Sequence, residues 1–278
     1  MDLSKPKEIH VYLISGGRES LAMTIKEIKK NPDFFDRKDV VGLFADTLDD
    51  PLGKETNDYM KKYHNWKIHT VYSKYGNIRE YYENKEVDNE PDHPEYIGHA
   101  LPSQANKDCS QKFKIIPECK WLFETFGKDC IYHLYFGFDF SKKDISRFTR
   151  MQTRLAKTKI KQIPHAPLIE QQLTRSDCGK ICNDYMGWIP ERSQCVMCFE
   201  RTISDWKHAF KIMPRAISRI IKFEESSKLF KKFGYGLSAK PIRKILRIPD
   251  KQQTTLDIKP CPCVEDFDMD ICLTSDAV

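Results

Sequence analysis

The chain of 278 residues predicts an α/β fold, a doubly wound parallel sheet followed by a C-terminal, cysteine-containing and mostly helical subdomain. Three observations carry this expectation. Short apolar runs rich in β-branched and aromatic residues recur at 9–14, 40–45 and 67–72. Stretches of helical periodicity separate them, at 20–30 and 55–64. A glycine-rich turn, Gly16-Gly17, joins the first run to the first helix. Strands apolar on both faces that alternate with helices read as parallel βαβ units, a Rossmann-like arrangement.

The elements follow in order. Residues 9–14 hold scarcely a polar side chain and read as a strand buried on both sides. Leu21, Ile25 and Ile28 give the next segment its helical period. The second strand ends in Asp46-Thr47, and a helix and a third strand follow. Residues 83–107 are polar, broken by Pro91, Pro94 and Pro102, and read as a long loop placed as a lid. Residues 110–126 return to helix, with Pro117 breaking or restarting it. Residues 130–138 form a further strand, 142–161 a basic helix, and 167–169 a short edge or closing strand. Thr174 and Asp177 have the spacing of a capping box, so a helix begins there and runs to Met186, stopping at Gly187. Residues 202–222 read as one more helix, and the last twenty-five or so residues lack a periodic core.

With 40% hydrophobic and 31% charged residues, the chain can bury one substantial core and an appended subdomain. No run of eighteen apolar residues occurs, and the N-terminal residues lack a secretory pattern. The expectation is a soluble cytoplasmic protein with no membrane partner. Its divisions are 1–170, nucleotide-binding; 171–206, cysteine-rich; 207–255, a basic helical extension; and 256–278, an acidic and flexible tail.

Ser15-Gly16-Gly17-Arg18-Glu19-Ser20 lies between a buried strand and a helix. In such a turn the backbone N–H groups at the helix start, helped by the helix dipole, bind phosphate. Ser15 and Ser20 add hydroxyl donors, the glycines allow close approach, and Arg18 adds a cation. Neither the Walker spacing nor the dinucleotide fingerprint is present. An ordinary strand-to-helix turn is the plain alternative, and the position after the first strand favours phosphate.

These residues resemble the Ser-Gly-Gly-x-Asp-Ser loop of the ATP pyrophosphatase and phosphoadenosine phosphosulfate reductase-like superfamily, the adenine nucleotide alpha-hydrolase-like proteins, with Glu19 in place of Asp. Asp46-Thr47 followed by Glu55-Thr56 resembles that family's second-strand motif, with Leu48 where a glycine is usual. The segment from Cys109 through Lys114 to Pro117 resembles a Cys-x-x-x-x-Lys-x-x-Pro stretch of the reductase-like branch, and Gly137 to Arg147 is a looser match. The resemblance spans residues 9–206. It implies ATP and Mg²⁺ as cofactors, phosphate contacts along Ser15–Ser20, and adenosine or metal contact at Asp46 and Thr47. Lys114 and Arg147 are anion contacts on the same reading.

Ten cysteines in a chain without an export signal point to metal or redox chemistry. Cys178 and Cys182 share a helix face, and Cys195 and Cys198 form a Cys-x-x-Cys turn. Together they make a candidate four-thiolate site for an iron–sulfur cluster or Zn²⁺, and the resemblance leans towards iron–sulfur. The alternative keeps Cys178 and Cys182 as core residues and the other two as a free or redox-active pair. Cys109 is open among a rival ligand, a sulfur-carrying nucleophile and a buried residue. Cys119 and Cys130 read as packing residues, and Cys261, Cys263 and Cys272 in the tail carry no assignment.

Between residues 207 and 251 thirteen Lys or Arg face only Glu224, Glu225 and Asp250. A solvated helix face is one reading, and a polyanion such as tRNA or DNA is the other. Three functions follow. The first is an ATP-dependent adenylating enzyme that releases pyrophosphate and activates an acceptor such as a nucleic acid for sulfur transfer, with a cysteine desulfurase or sulfur carrier as partner. The second is a sulfonucleotide reductase, against which stands the lack of a Glu-Cys-Gly-x-His segment near the C-terminus. The third is a non-catalytic nucleotide- or nucleic-acid-binding metal protein.

Overall fold

The computed structural model describes residues 7–85, 87, 93–103, 108–158, 160–238 and 240–248. Five parallel strands form one sheet in the order β3-β2-β1-β4-β5. They are β1 (Glu8–Leu13), β2 (Val40–Asp46), β3 (Ile68–Tyr72), β4 (Ile131–Phe136) and β5 (Gln162–His165). The α/β, Rossmann-like expectation is the observed architecture.

Alternation along β1 feeds two cores. Ile9 and Val11 join Leu43, Val71, Tyr132 and Leu134 under α4 (Ile116–Phe126). Tyr12 and Ile14 join Phe34, Phe44 and Met60 on the opposite face, beneath α1 (Arg18–Lys30), α2 (Pro51–His64) and α7 (Arg175–Met186). The whole of β2 is buried, as its unbroken apolar run requires. A third core gathers Trp206 of α8 (Ile203–Ile212), Ile217 and Ile221 of α9 (Pro214–Ser226) and Ile242 of α11 (Ile242–Leu246). Ile78 and Tyr82 of α3 (Ile78–Glu83), Phe113 and the 195–197 turn pack into that same core.

Three expectations need correction. Residues 167–169 are not a strand but the start of α6 (Pro167–Glu170), because Pro167 fits the first helical turn, where its missing N–H has no intrahelical role. The edge strand is β5, and its Pro164 is tolerated at the sheet edge. The basic helix α5 (Lys142–Leu155) ends well before residue 161. The stretch expected as one helix over 202–222 breaks at Pro214 into α8 and α9.

Ahead of Pro117 the chain makes a π-helical turn, Gln111–Ile115, and passes without a break into α4. A π turn is a local insertion that absorbs strain. α7 carries the expected capping box at Thr174 and Asp177 and ends at Gly187. In the proposed lid, residues 93–103 dock on the helical layer: His99 bridges Ser227, and its carbonyl accepts from Lys228 N–H at 3.1 Å. α10 (Lys228–Phe233) follows. The tail with Cys261, Cys263 and Cys272, together with residues 88–92 and 104–107, lies outside the described residues. Among the described residues no helix is long and apolar enough to cross a membrane.

Candidate active site

The strand order reverses at β1, whose neighbours are β2 on one side and β4 on the other. Loops leaving β1 and β4 diverge there and open a crevice beyond the carboxyl ends of the strands. A cavity of about 580 Å³ occupies it, lined by the phosphate-loop residues Ser15, Gly17, Glu19 and Ser20 and by Thr47, Asp50, Lys114 and Asp139.

The loop is held by its own hydroxyls. Ser20 Oγ accepts from Ser15 N–H at 3.2 Å and donates to the Gly17 carbonyl at 3.0 Å, with Ser15 Oγ 3.2 Å away. Gly16 has φ +81, and a Cβ built there would lie 2.2 Å from the Gly53 carbonyl oxygen. Only glycine meets both conditions. Gly53, at the start of α2, is equally confined, since its Cβ would stand 2.6 Å from the Ser15 carbonyl. Asp50 caps α2 by accepting from Gly53 N–H at 3.0 Å, and it accepts from Ser193 Oγ at 2.7 Å. The loop, α2 and the 190s segment are thereby tied together, and α1 begins with a turn of N–H groups that lack intrahelical partners.

Three thiols line the same cavity: Cys109, Cys195 and Cys198. Cys195 and Cys198 close one turn, Cys198 N–H donating to the Cys195 carbonyl at 3.1 Å, and Cys195 Sγ lies 3.2 Å from Thr47 Oγ1. Burial pushes the Cys195 thiol up to about 12, opposed by the Lys114 ammonium. Burial also raises Cys109, helped by Cys198. Burial works against the charge on Lys114, but Cys195, Asp50, Glu118 and Cys198 outweigh it and hold the ammonium above its ordinary range. Glu118 is pushed up by burial to about 7, against the pull of Lys114. A cation is therefore fixed beside sulfur inside the cavity.

The outer rim is cationic. Lys143, Arg147 and Arg150 of α5 line it, with Arg175 and Arg192. Several are oriented by acids: Arg147 on Asp144 at 2.8 Å, Arg175 on Glu19 at 3.2 Å, and Arg192 on Asp205 at 2.7 Å. Arg147 also lies over the Phe138 ring, 4.8 Å from its centroid.

Three expected assignments come out differently. Arg18 does not line the cavity; its guanidinium donates to the Pro190 carbonyl at 3.3 Å. Asp46 lines a neighbouring cavity instead, while Thr47 beside it faces the phosphate loop. The four thiols are not one site. Cys178 and Cys182 are fully buried between α7 and α1, in the core with Leu21 and Ile25, because the apolar face of α7 is the face that packs. Among the described residues no three or more His, Cys, Asp or Glu converge to hold a metal ion.

The Leu48 backbone sits at φ +56, with its N–H donating to Asp46 Oδ1 at 2.8 Å. A left-handed residue is required there, which is where the resembling pattern has glycine. Sequence reading missed Asp50, Glu118 and Ser193. Asp50 had a signal, since an Asp directly before a Pro is a helix cap followed by a first-turn proline. Glu118 and Ser193 reach the site through packing alone.

No protein-family model matches the chain, and no curated protein does. Among solved structures it is similar to the U34-tRNA thiolase NcsA from Methanococcus maripaludis with its [4Fe-4S] cluster. The match has a TM-score of 0.39 and 13% identity, over 94% of this chain and 78% of that one. A likeness this distant carries no functional argument, and the cavity has to supply it.

Proposed function

We propose that the chain is an ATP-dependent adenylating enzyme that activates an oxygen-bearing acceptor for replacement by sulfur. One observation carries the reading: a phosphate loop and three thiols line a single cavity together with a half-buried lysine, Lys114. Phosphate binding alone explains the loop but not the thiols, and a redox pair alone explains the thiols but not the loop.

On this reading the N–H groups at the start of α1 and the Ser15 and Ser20 hydroxyls hold the β- and γ-phosphates of ATP. Mg²⁺ bound with the nucleotide would neutralise phosphate charge as pyrophosphate leaves. The acceptor oxygen attacks the α-phosphorus, the α–β bridging bond breaks, and pyrophosphate leaves with the bonding pair. Lys114 neutralises charge that develops in the cavity, and the cationic rim of Arg147 and Arg150 orients an anionic acceptor such as tRNA or DNA. An external hydrosulfide, released from a sulfur carrier or cysteine desulfurase persulfide by a thiol reductant, then displaces AMP from the acceptor carbon. The leaving AMP takes the oxygen.

Cys109, Cys195 and Cys198 are the residues that would hold an iron–sulfur cluster in this cavity once drawn together; among the described residues they do not converge into a metal-binding group, and the fourth cysteine of a zinc site is absent from the cavity. Bound there, a cluster would supply an open iron to bind the incoming sulfur.

The test is product analysis with labelled ATP and Mg²⁺, together with pyrophosphate–ATP exchange. AMP and pyrophosphate are expected, and both vanish in Gly16→Ala, whose side chain collides with α2. ADP and inorganic phosphate as products would overturn the reading.

A further inference from the structure

A second cavity of about 600 Å³ lies on the far side of the β2–α2 turn, between that turn, α3 and α9. Asp50 lines both cavities, and the phosphate-loop residues line only the first. The adenylation reading places the phosphates, the thiols and the anionic acceptor at the first cavity.

Its lining is chemically graded. The inner residues are acidic and buried: Asp46 is 1% exposed, Asp50 6% and Asp49 8%. Most of their oxygens are occupied. Asp49 accepts from Met197 N–H at 3.1 Å, and Asp50 is taken by Gly53 and Ser193. Asp46 Oδ1 accepts from Leu48 N–H, whereas Asp46 Oδ2 is buried with no hydrogen-bond partner. A buried carboxylate oxygen without a donor is costly, and a ligand that brings an N–H or O–H relieves the cost.

The outer residues are basic. Arg215 and Arg219 are four apart on α9, exposed, and on the same helix face. Arg79 of α3 faces them; its Nε makes no hydrogen bond and stands 3.8 Å from Glu83. Guanidinium groups from two helices at one opening suit a phosphate, which they bind through paired N–H donors. Leu48, Val196 and Ile220 supply apolar wall between floor and mouth, as a flat ring requires.

We propose that this second cavity binds a nucleotide unit, with a base or ribose donor on Asp46 Oδ2 and the phosphate held by Arg79, Arg215 and Arg219. The site stands independently of the adenylation reading. The phosphorylated nucleoside has two possible sources, a free mononucleotide or one residue of a polynucleotide strand.

The experiment uses the full chain loaded with one equivalent of α,β-methylene-ATP to fill the phosphate-loop cavity. Fluorescent AMP and a labelled ten-nucleotide single strand are then titrated separately, by anisotropy. At least one probe is expected to bind, and Arg215→Glu with Arg219→Glu weakens it at least tenfold, while affinity for the analogue stays within twofold. Asp46→Asn, which puts a donor where the free acceptor stood, weakens the same probe at least threefold. Binding of AMP identifies a free nucleotide, and binding of the strand alone identifies a residue of a polynucleotide. The proposal is overturned if neither probe binds the loaded protein, or if the charge-reversed protein binds both as well as the parent does. Pyrophosphate–ATP exchange on the same samples reports the first cavity separately.

Discussion

Cys178 and Cys182 sit on α7 beneath α1, while Cys195 and Cys198 flank a turn in the wall of the phosphate-loop cavity. Both pairs have spacings that bind metals elsewhere, and burial pushes Cys178, Cys182 and Cys195 alike to about 12. What differs between them, beside burial, is the sign of the largest charge contribution. Glu19 adds to the rise at Cys178 and Cys182, whereas Lys114 opposes it at Cys195. Burial dominates at all three, and charge only tunes the rise: Arg18 opposes it at Cys182, while Asp50 and Asp49 add to it at Cys195.

The largest effect should come from the cavity pair. Replacing Cys195 and Cys198 with alanine is expected to cut sulfur incorporation at least a hundredfold, measured as thiolated product. Nucleotide affinity on the same sample separates lost chemistry from lost fold. If sulfur incorporation persists, the cavity thiols are packing residues like the α7 pair. The reciprocal change, Cys178→Ala with Cys182→Ala, should destabilise the protein by about 2–3 kcal/mol through cavities left in a tight core. Urea unfolding reads that loss, with turnover per folded molecule retained.

A smaller effect tests the charge itself. Lys114→Met should lower the alkylation rate of Cys195 by about tenfold at fixed pH, since roughly one unit of thiol acidity corresponds to about 1.4 kcal/mol. Peptide mapping after iodoacetamide treatment gives the rate, and no change would remove Lys114 from the account. The α7 thiols should not respond to this substitution.

The smallest effect is a pH slope. A thiol whose folded pKa of about 12 exceeds its ordinary 9 keeps its proton in the folded state while the unfolded chain releases it. Stability is therefore fully present below pH 9 and declines between about 9 and 12. The Cys178→Ala, Cys182→Ala protein should show a flatter decline than the parent, because only Cys195 of the three remains. An unchanged slope would show that the α7 thiols titrate normally.

Much of this was legible in the sequence. Three strands, the glycine turn and the capping box at Thr174 are local features, set by residues within a few positions of one another. The meeting of Cys109 with the 195–198 turn was not, because it depends on packing between segments far apart in the chain. Asp46 was half legible: neighbours in an extended chain point to opposite sides, so Asp46 and Thr47 line different cavities. Arg18 was not legible, since its partner is a carbonyl in a loop, at Pro190. The edge strand β5 was hidden by its proline and its short, half-exposed run.

The close approach of Gly16 and Gly53 bears on how this protein can diverge. Gly16 is compelled by the Gly53 carbonyl and Gly53 by the carbonyl of Ser15, the residue before Gly16, although loop and helix are different elements. A larger residue at either position is harmful unless α2 also withdraws, and α2 is fixed by the Asp50 cap. No single substitution opens that route. Lineages descending from such an ancestor should keep both glycines or lose both together, and a saturation library should find positions 16 and 53 among the least permissive in the first sixty residues.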